Sequence, residues 1–341
     1  MRIVHLLGAA QPEGMAVARI VAALSHHADP IRYPIEAWFL GGDGPLLDWL
    51  REQGVCARAA TCGGVRRPMD MGRLWLALKH TRAAIVHQHV GGPAVRAVIR
   101  AAGKARIVAH LHGRVAETGL VRPAAVLARG ADAVIATSQA VARTSPVRCD
   151  IVYPGVDAPQ PGTPSASPIV GFAGRLVSPK GVDALIRAMP AVRAAVPEAR
   201  LEIAGDGPAR AALESFRDPS TTFLGWQTDL YPLLRRWAVM AMPSHEEGFG
   251  MAALEGMAAG LPVVAAPVGG IPELVQHEVT GLLAGHGGLA PALIRLLSDP
   301  DLRTRMGQMG YRRAIQHFSA KRMADQICAL YERVASSSGA G

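Results

Sequence analysis

Short runs dominated by apolar residues alternate with longer mixed segments along most of the chain. Such runs fall at 2–7, 35–40, 55–59, 84–89, 106–111, 133–137, 169–173, 201–204, 237–242 and 261–265. Their length, and the glycine, proline or charged residues around them, predict buried strands. The segments at 15–25, 44–53, 70–82, 93–102 and 251–259 predict helices, with three more at about 287–297, 301–316 and 320–335. Strands and helices taken in turn predict parallel sheets with helices on both faces. Ligands in such sheets sit at the carboxyl ends of the strands. The rhythm breaks at 157–168, D-A-P-Q-P-G-T-P-S-A-S-P, which has no long apolar side chain and predicts a stiff extended linker. The chain therefore reads as a domain at 1–157, a linker at 158–168 and a second domain at 169–317, with a disordered tail at 336–341.

The most informative stretch is 243–273, which follows the run at 237–242. Glu247 stands just before Gly248-Phe249-Gly250, and good helix formers fill 251–259 until Gly260 and Pro262 stop them. A glycine-flanked helix start lets a ligand approach the backbone closely. The free N–H groups and the positive end of the dipole favour an anion there, typically a phosphate. Glu255 lies eight residues after Glu247, a little over two turns, and so deeper along about the same side. A carboxylate there accepts hydrogen bonds from hydroxyls, which suits a ribose or a sugar. Two glutamates at this spacing also occur on solvated helices. This helix is otherwise apolar all round, however, so it is expected to be buried, where a carboxylate needs a partner. The pair therefore suggests a sugar nucleotide with its diphosphate at the helix start.

The runs P-S-x-x-E-G-F-G, L-E-G-M-A-A-G-L-P-V-V-A and G-G-I-P-E-L-V occur here in order. Together they resemble family 4 retaining glycosyltransferases (glycosyl transferases group 1). That family implies the α/β GT-B fold, two Rossmann-like domains with parallel sheets facing a cleft, and a last helix, about 318–335, crossing back onto the first domain. The run G-R-L-x-x-x-K-G, with Arg175 and Lys180, resembles the family's diphosphate-binding motif. An arginine grips two oxygens and a lysine adds a point charge. By the same resemblance Glu247 holds hydroxyls of the donor sugar and Glu255 holds the ribose. Gly248, Phe249, Gly250 and Met251 line the donor diphosphate. His112, in A-H-L-H-G-R, faces the transferred sugar. Asp206, in G-D-G-P, stands near the nucleotide, although an Asx turn explains it equally well. Trp226 either stacks on the base or is simply packed. Gly14 stands near the family's first-domain glycine loop, but Gln11-Pro12-Glu13 departs from its pattern. The resemblance is close over the second domain and loose over the first. It implies retaining, metal-independent transfer from a UDP or GDP sugar to a hydroxyl of a glycan, lipid or small molecule. The alternatives are a sugar-nucleotide epimerase of the same fold and a non-catalytic nucleotide-sugar-binding module.

Composition narrows the rest. Half of the 341 residues are hydrophobic, enough for two cores. A net charge of +9 invites nucleic acid, an anionic membrane or anionic substrates. Arginine is spread along the chain without a nucleic-acid motif, so nucleic acid is not expected as a partner. The segment 70–82 sets Trp75, Leu76 and Leu78 among Arg73, Lys79 and Arg82, with Arg66 and Arg67 upstream. It reads either as a membrane-surface helix or as a core-facing helix with a solvated basic face. Cys56, Cys62, Cys149 and Cys328 lack metal-ligand spacing. They are expected to be reduced thiols of a cytoplasmic protein, with contact at the inner membrane face left open. No apolar run is long enough to span a bilayer, and the flanks of a signal peptide are missing at the start. Histidine pairs at 87/89 and 110/112 invite a metal. No carboxylate or cysteine accompanies them in sequence, so no metal is expected. Asp299-Pro300-Asp301 reads as a helix stop followed by a cap.

Overall fold

The computed structural model describes residues 1–61, 68–113, 127–158, 162 and 165–337. Cys62, Arg66, Arg67, positions 159–161 and 163–164 of the proline-rich stretch, and 338–341 of the expected tail lie outside them. The chain divides into two compact units, Met1–Gly155 with Ala320–Gly341, and Val156–Ser319. No helix among the described residues is long and apolar enough to cross a membrane.

The first unit is built on strands β1 (Ile3–Leu7), β2 (Ile35–Phe39), β3 (Cys56–Ala59), β4 (Ile85–Gln88), β5 (Arg106–Leu111), β6 (Ala133–Ala136) and β7 (Asp150–Ile151). They pair in parallel in the order β3-β2-β1-β4-β5-β6-β7. Every residue of β1 is buried, as a strand covered on both faces must be. On one face Val4, Leu6, Trp38, Val86 and Ile107 meet Leu74, Leu78, Val95 and Ile99 from helices Pro68–Thr81 and Pro93–Ala102. Leu74 and Leu78 stand four residues apart, so the segment expected at 70–82 is a core-facing helix. Its outer side carries Leu76, 49% exposed, and Lys79, whose ammonium lies 4.6 Å from the Trp75 ring centre. Helix Met15–His27 packs against helix Ala320–Ser336. The latter runs one residue into the segment expected to be a disordered tail.

The second unit repeats the plan with β8 (Ile169–Ala173), β9 (Arg200–Ala204), β10 (Thr221–Gly225), β11 (Val239–Met242), β12 (Val263–Ala265) and β13 (Gly281–Leu283). The order is β10-β9-β8-β11-β12-β13, again all parallel. Of the proline-rich stretch, Gly162 donates a backbone bond to Ala259 and Ser165 donates one to Trp237. Asp299 caps helix Pro300–His317 by accepting from the Leu302 N–H at 2.8 Å, which accounts for the Asp-Pro-Asp run.

Trp237 fixes the centre of this unit. Its indole is fully buried and donates to Glu202 at 2.7 Å. The ring lies against Gly171 of β8, where an added Cβ would stand 1.9 Å from it. Gly171→Ala should therefore lower the stability of this unit by about 2 kcal/mol through overpacking. Urea unfolding monitored by tryptophan fluorescence measures it. An unchanged midpoint would show that the indole relocates without cost.

Candidate functional site

Both sheets reverse their strand order once, between β1 and β4 and between β8 and β11. Chain crossovers leave the sheet on opposite faces at such a point, so a crevice opens at the carboxyl ends of the two strands.

In the second unit the crevice is framed by the loops after β8 and β11. The first carries Arg175 and a short 3-10 turn, Ser178–Lys180, and the second runs from Pro243 to Gly250. His245 N–H donates to the Pro179 carbonyl at 2.8 Å, tying the loops together. Lys180 Nζ then reaches Glu247 Oε2 at 2.6 Å, and the buried Ser244 hydroxyl donates to the same oxygen at 3.3 Å. The Lys180 side chain is 24% exposed and that of Glu247 12%, so the pair is partly shielded and still reachable. Arg175 is exposed on the same loop as Lys180. Behind Glu247 the chain comes very close. Gly269 has φ +54°, and a Cβ there would stand 1.6 Å from the Glu247 carbonyl oxygen, which accepts from Gly270 N–H at 3.3 Å. Only glycine fits this turn.

Helix Met251–Ala258 starts at Gly250, whose φ is +103°, with no side-chain cap. Phe249, Ala253, Leu254, Gly256, Met257 and Ala258 are buried, while Gly248, Met251 and Glu255 are half-buried. The apolar helix is thus buried as its composition predicts, and its amino end opens on the loop that carries Glu247. Asp206 is engaged within its own turn, accepting from Gly207 N–H at 2.7 Å and from Arg210 at 3.0 Å. Trp226 is half-buried. Gly14 lies in the first unit, ending the 3-10 turn Pro12–Gly14 before helix Met15–His27. A Cβ on it would meet Leu46 Cδ1 at 3.1 Å.

The crevice of the first unit holds a histidine cluster. His5 on β1 is the cross-strand partner of His87 on β4. His89 and His112 follow the ends of β4 and β5, and His110 lies on β5. Residues two apart along a strand share a face, so each His-x-His pair projects both rings to one side. Neighbouring rings stack, with centroids 4.6 Å apart for His87 and His89 and 4.3 Å for His110 and His112. Tyr331, fully buried on helix Ala320–Ser336, enters from across the chain. Ring nitrogens and hydroxyl form one series. His112 Nε2 meets His89 Nδ1 at 2.8 Å, and His89 Nε2 meets His5 Nδ1 at 2.9 Å. His5 Nε2 meets the Tyr331 hydroxyl at 3.2 Å, which meets His87 Nδ1 at 2.5 Å. His87 Nε2 ends on His110 Nδ1 at 3.2 Å.

Burial pushes the pKa of His5 down to about 3 and that of the half-buried His112 to about 4. Burial, reinforced by the neighbouring rings, holds His87, His89 and His110 well below the ordinary range. Two sets of three, His5/His87/His89 and His89/His110/His112, bring nitrogens within 4.8 Å of one another. Neutral imidazoles are metal donors, but here most ring nitrogens already meet another ring nitrogen or the Tyr331 hydroxyl. The paired His-x-His spacing signals this cluster in the sequence. Nothing in the sequence singles out His5, a lone polar residue in an apolar strand, or Tyr331, one side chain of a mixed polar and apolar helix far along the chain.

The fold and its second unit have known counterparts. Residues 167–299 match the family model described as Glycosyl transferases group 1. The Anabaena protein HepE, solved with UDP-glucose, superposes with a TM-score of 0.82 at 24% identity, covering 98% of this chain and 100% of that one. Sucrose-phosphate synthase from Thermosynechococcus elongatus gives a TM-score of 0.78 at 20% identity, covering 99% of this chain and 100% of that one. The D-inositol 3-phosphate glycosyltransferase of Mycobacterium bovis is 36% identical over 221 residues, 55% of this chain and 44% of that protein. The protein of that name from Saccharomonospora viridis is 36% identical over 189 residues, 50% of this chain and 44% of the other. The match therefore spans less than half the length of these relatives. The architecture is the GT-B fold of two Rossmann-like units. The family match falls within its second unit, where the motifs lie.

The histidine cluster makes the first unit sensitive to acid. A histidine held neutral below its unfolded value, near 6.5, binds fewer protons folded than unfolded between the two values. Stability therefore rises with pH through that window and is lost as pH falls from about 6.5 towards about 4. The loss is up to roughly 1.4 kcal/mol per histidine per pH unit. Hydrogen-exchange protection of β1 and β4 amides should fall between pH 7 and pH 5, and more than that of β8 and β11. Equal protection of β1 and β4 at both pH values would contradict this account.

Proposed function

We propose that the protein is a retaining glycosyltransferase that moves a sugar from a nucleotide-diphospho-sugar to a hydroxyl acceptor without a divalent metal. The observation that carries this reading is the Lys180–Glu247 pair set beside an uncapped helix start at the second unit's switch point. Breaking the donor's glycosidic bond builds charge on the leaving diphosphate, which must be neutralised as it forms. Arg175, Lys180 and the N–H groups of Gly248 to Met251 supply positive charge for it. Glu247 accepts hydrogen bonds from the sugar's hydroxyls, and Glu255 accepts those of the ribose. Lys180 and Glu247 hold one another in place. A bound donor satisfies each separately, the diphosphate taking the ammonium and a sugar hydroxyl the carboxylate. Asp206 orders the neighbouring turn, Gly14 shapes the first unit's first loop, and His112 is that unit's candidate for contact with a sugar. The donor is a UDP or GDP sugar. UDP-glucose is the first to test, because the Anabaena neighbour was solved with it.

Transfer from a radiolabelled nucleotide sugar, with inositol phosphates and glycans as candidate acceptors, tests the reaction. The rate should be the same in excess EDTA as with magnesium or manganese, and the product should keep the donor's anomeric configuration by NMR. Arg175→Ala and Lys180→Ala should each cost roughly a hundredfold in rate. Loss of activity in EDTA with rescue by either ion, or an inverted product, would overturn the mechanism. Conversion of the donor with no acceptor present would instead favour an epimerase.

Glu255→Ala should weaken binding of the free nucleoside diphosphate by about 1.5–3 kcal/mol, the range for a hydrogen bond to a charged group. Calorimetric titration measures it. Equal affinities for the two proteins would remove Glu255 from the site.

A further inference from the structure

The histidine cluster is a single file of six groups, in the order His112, His89, His5, Tyr331, His87, His110. Each of the five links needs one hydrogen. Each neutral imidazole brings one N–H and one lone pair, and the tyrosine brings one O–H. With the tyrosine O–H also engaged, all five links are satisfied in only two ways, with every donor pointing towards His110 or every donor pointing towards His112. A third way, in which the Tyr331 oxygen accepts from both His5 and His87, strands its O–H in the core.

The two directions differ at their ends. His110 is 2% exposed, and its Nε2 has no hydrogen-bond partner among the described residues. If the donors point towards His110, that nitrogen carries an orphaned N–H in the core. If they point towards His112, it carries a bare lone pair, and the spare N–H falls on Nδ1 of the half-buried His112. Orphaned buried N–H groups are the rarer and costlier defect.

We propose that this file locks all five rings in the Nδ1–H tautomer, so that His112 presents an N–H donor at Nδ1, with His89 as the residue that positions it. An isolated neutral histidine favours the other tautomer, so the arrangement is imposed by the fold. His112 is then a hydrogen-bond donor to an oxygen of whatever it meets, and Nδ1 has no lone pair with which to act as a base. Its use in transfer rests on the function proposed above. The tautomer itself is read without substrate.

Protein labelled with 15N in its twelve histidines is examined at pH 7 by long-range proton–nitrogen correlation. The five rings of the cluster should show a pyrrole-type Nδ1 and a pyridine-type Nε2, with the His112 signals identified by their loss in His112→Ala. His112 as an Nε2–H tautomer or an imidazolium would overturn the proposal. His89→Phe keeps an aromatic ring in the stack and removes the donor. His112 should then shift towards Nε2–H, and an unchanged His112 spectrum would remove His89 from the role. Tyr331→Phe, a milder change, should leave His112 as it was while His87 and His110 become mixtures, since either direction now strands one N–H. Retention of one tautomer at both would refute the counting. Added zinc should leave the five spectra unchanged. A joint shift on titration would mean that these nitrogens ligate metal and do not form the file. If the tautomers hold and His112→Ala still transfers sugar at the full rate, the file stands and only the role of His112 in transfer is lost.

Discussion

A parallel strand cannot be joined to its neighbour by a tight turn. The chain must cross over one face of the sheet, and the crossover is almost always right-handed. Building a sheet outward in both directions from its first strand therefore forces one place where the crossovers part to opposite faces. Each unit has one such place, beside β1 in the first and β8 in the second. The chemistry-bearing residues of each unit collect there, because only there do loop ends converge without covering one another. The loops that hold Arg175, Lys180 and Glu247 are the ends of two strands brought side by side by this rule.

The two crevices solve the problem of polar groups in a shielded place differently. In the second unit opposite charges are set together, Lys180 against Glu247, with Ser244 as a third partner. Removing one partner of such a pair leaves a charge without compensation. In the first unit there is no charge to balance. Four buried imidazoles, the half-buried His112 and one buried phenol keep their cost low by bonding to one another, as buried polar groups must. A link lost in the middle of such a file leaves a bare lone pair on one side and strands an N–H on the other.

Much of the second unit could be read from its sequence. Its motifs are contiguous, and the apolar helix that follows Glu247 is governed by local composition. The bond between Lys180 and Glu247 could not be read, because the two lie 67 residues apart and meet only through strand order. The strands β10 and β13 escaped notice for another reason. Residues 222–225 of β10 are only half-buried or exposed, and β13 is three residues long, so neither has a marked apolar run. In the first unit the paired His-x-His segments were visible, but what binds them was not. His5 sits among apolar neighbours, and Tyr331 arrives 326 residues after it. The basic segment expected at 70–82 allows two readings from sequence, and Leu74 and Leu78 place one side of its helix against the core.

The first unit is made of two segments, Met1–Gly155 and Ala320–Gly341, separated by the whole of the second unit. Helix Ala320–Ser336 brings Tyr331 to the middle of the histidine file and lays Met323, Ile327 and Leu330 into the core. During synthesis the chain emerges from its amino end. The first 155 residues leave the ribosome with their seven strands encoded but with two rings, His5 and His87, lacking their shared partner. The second unit is contiguous and needs nothing from either flank to complete its sheet. The unit that starts first is therefore the one that can finish only last, and an interrupted chain would hold a finished second unit beside an unfinished first.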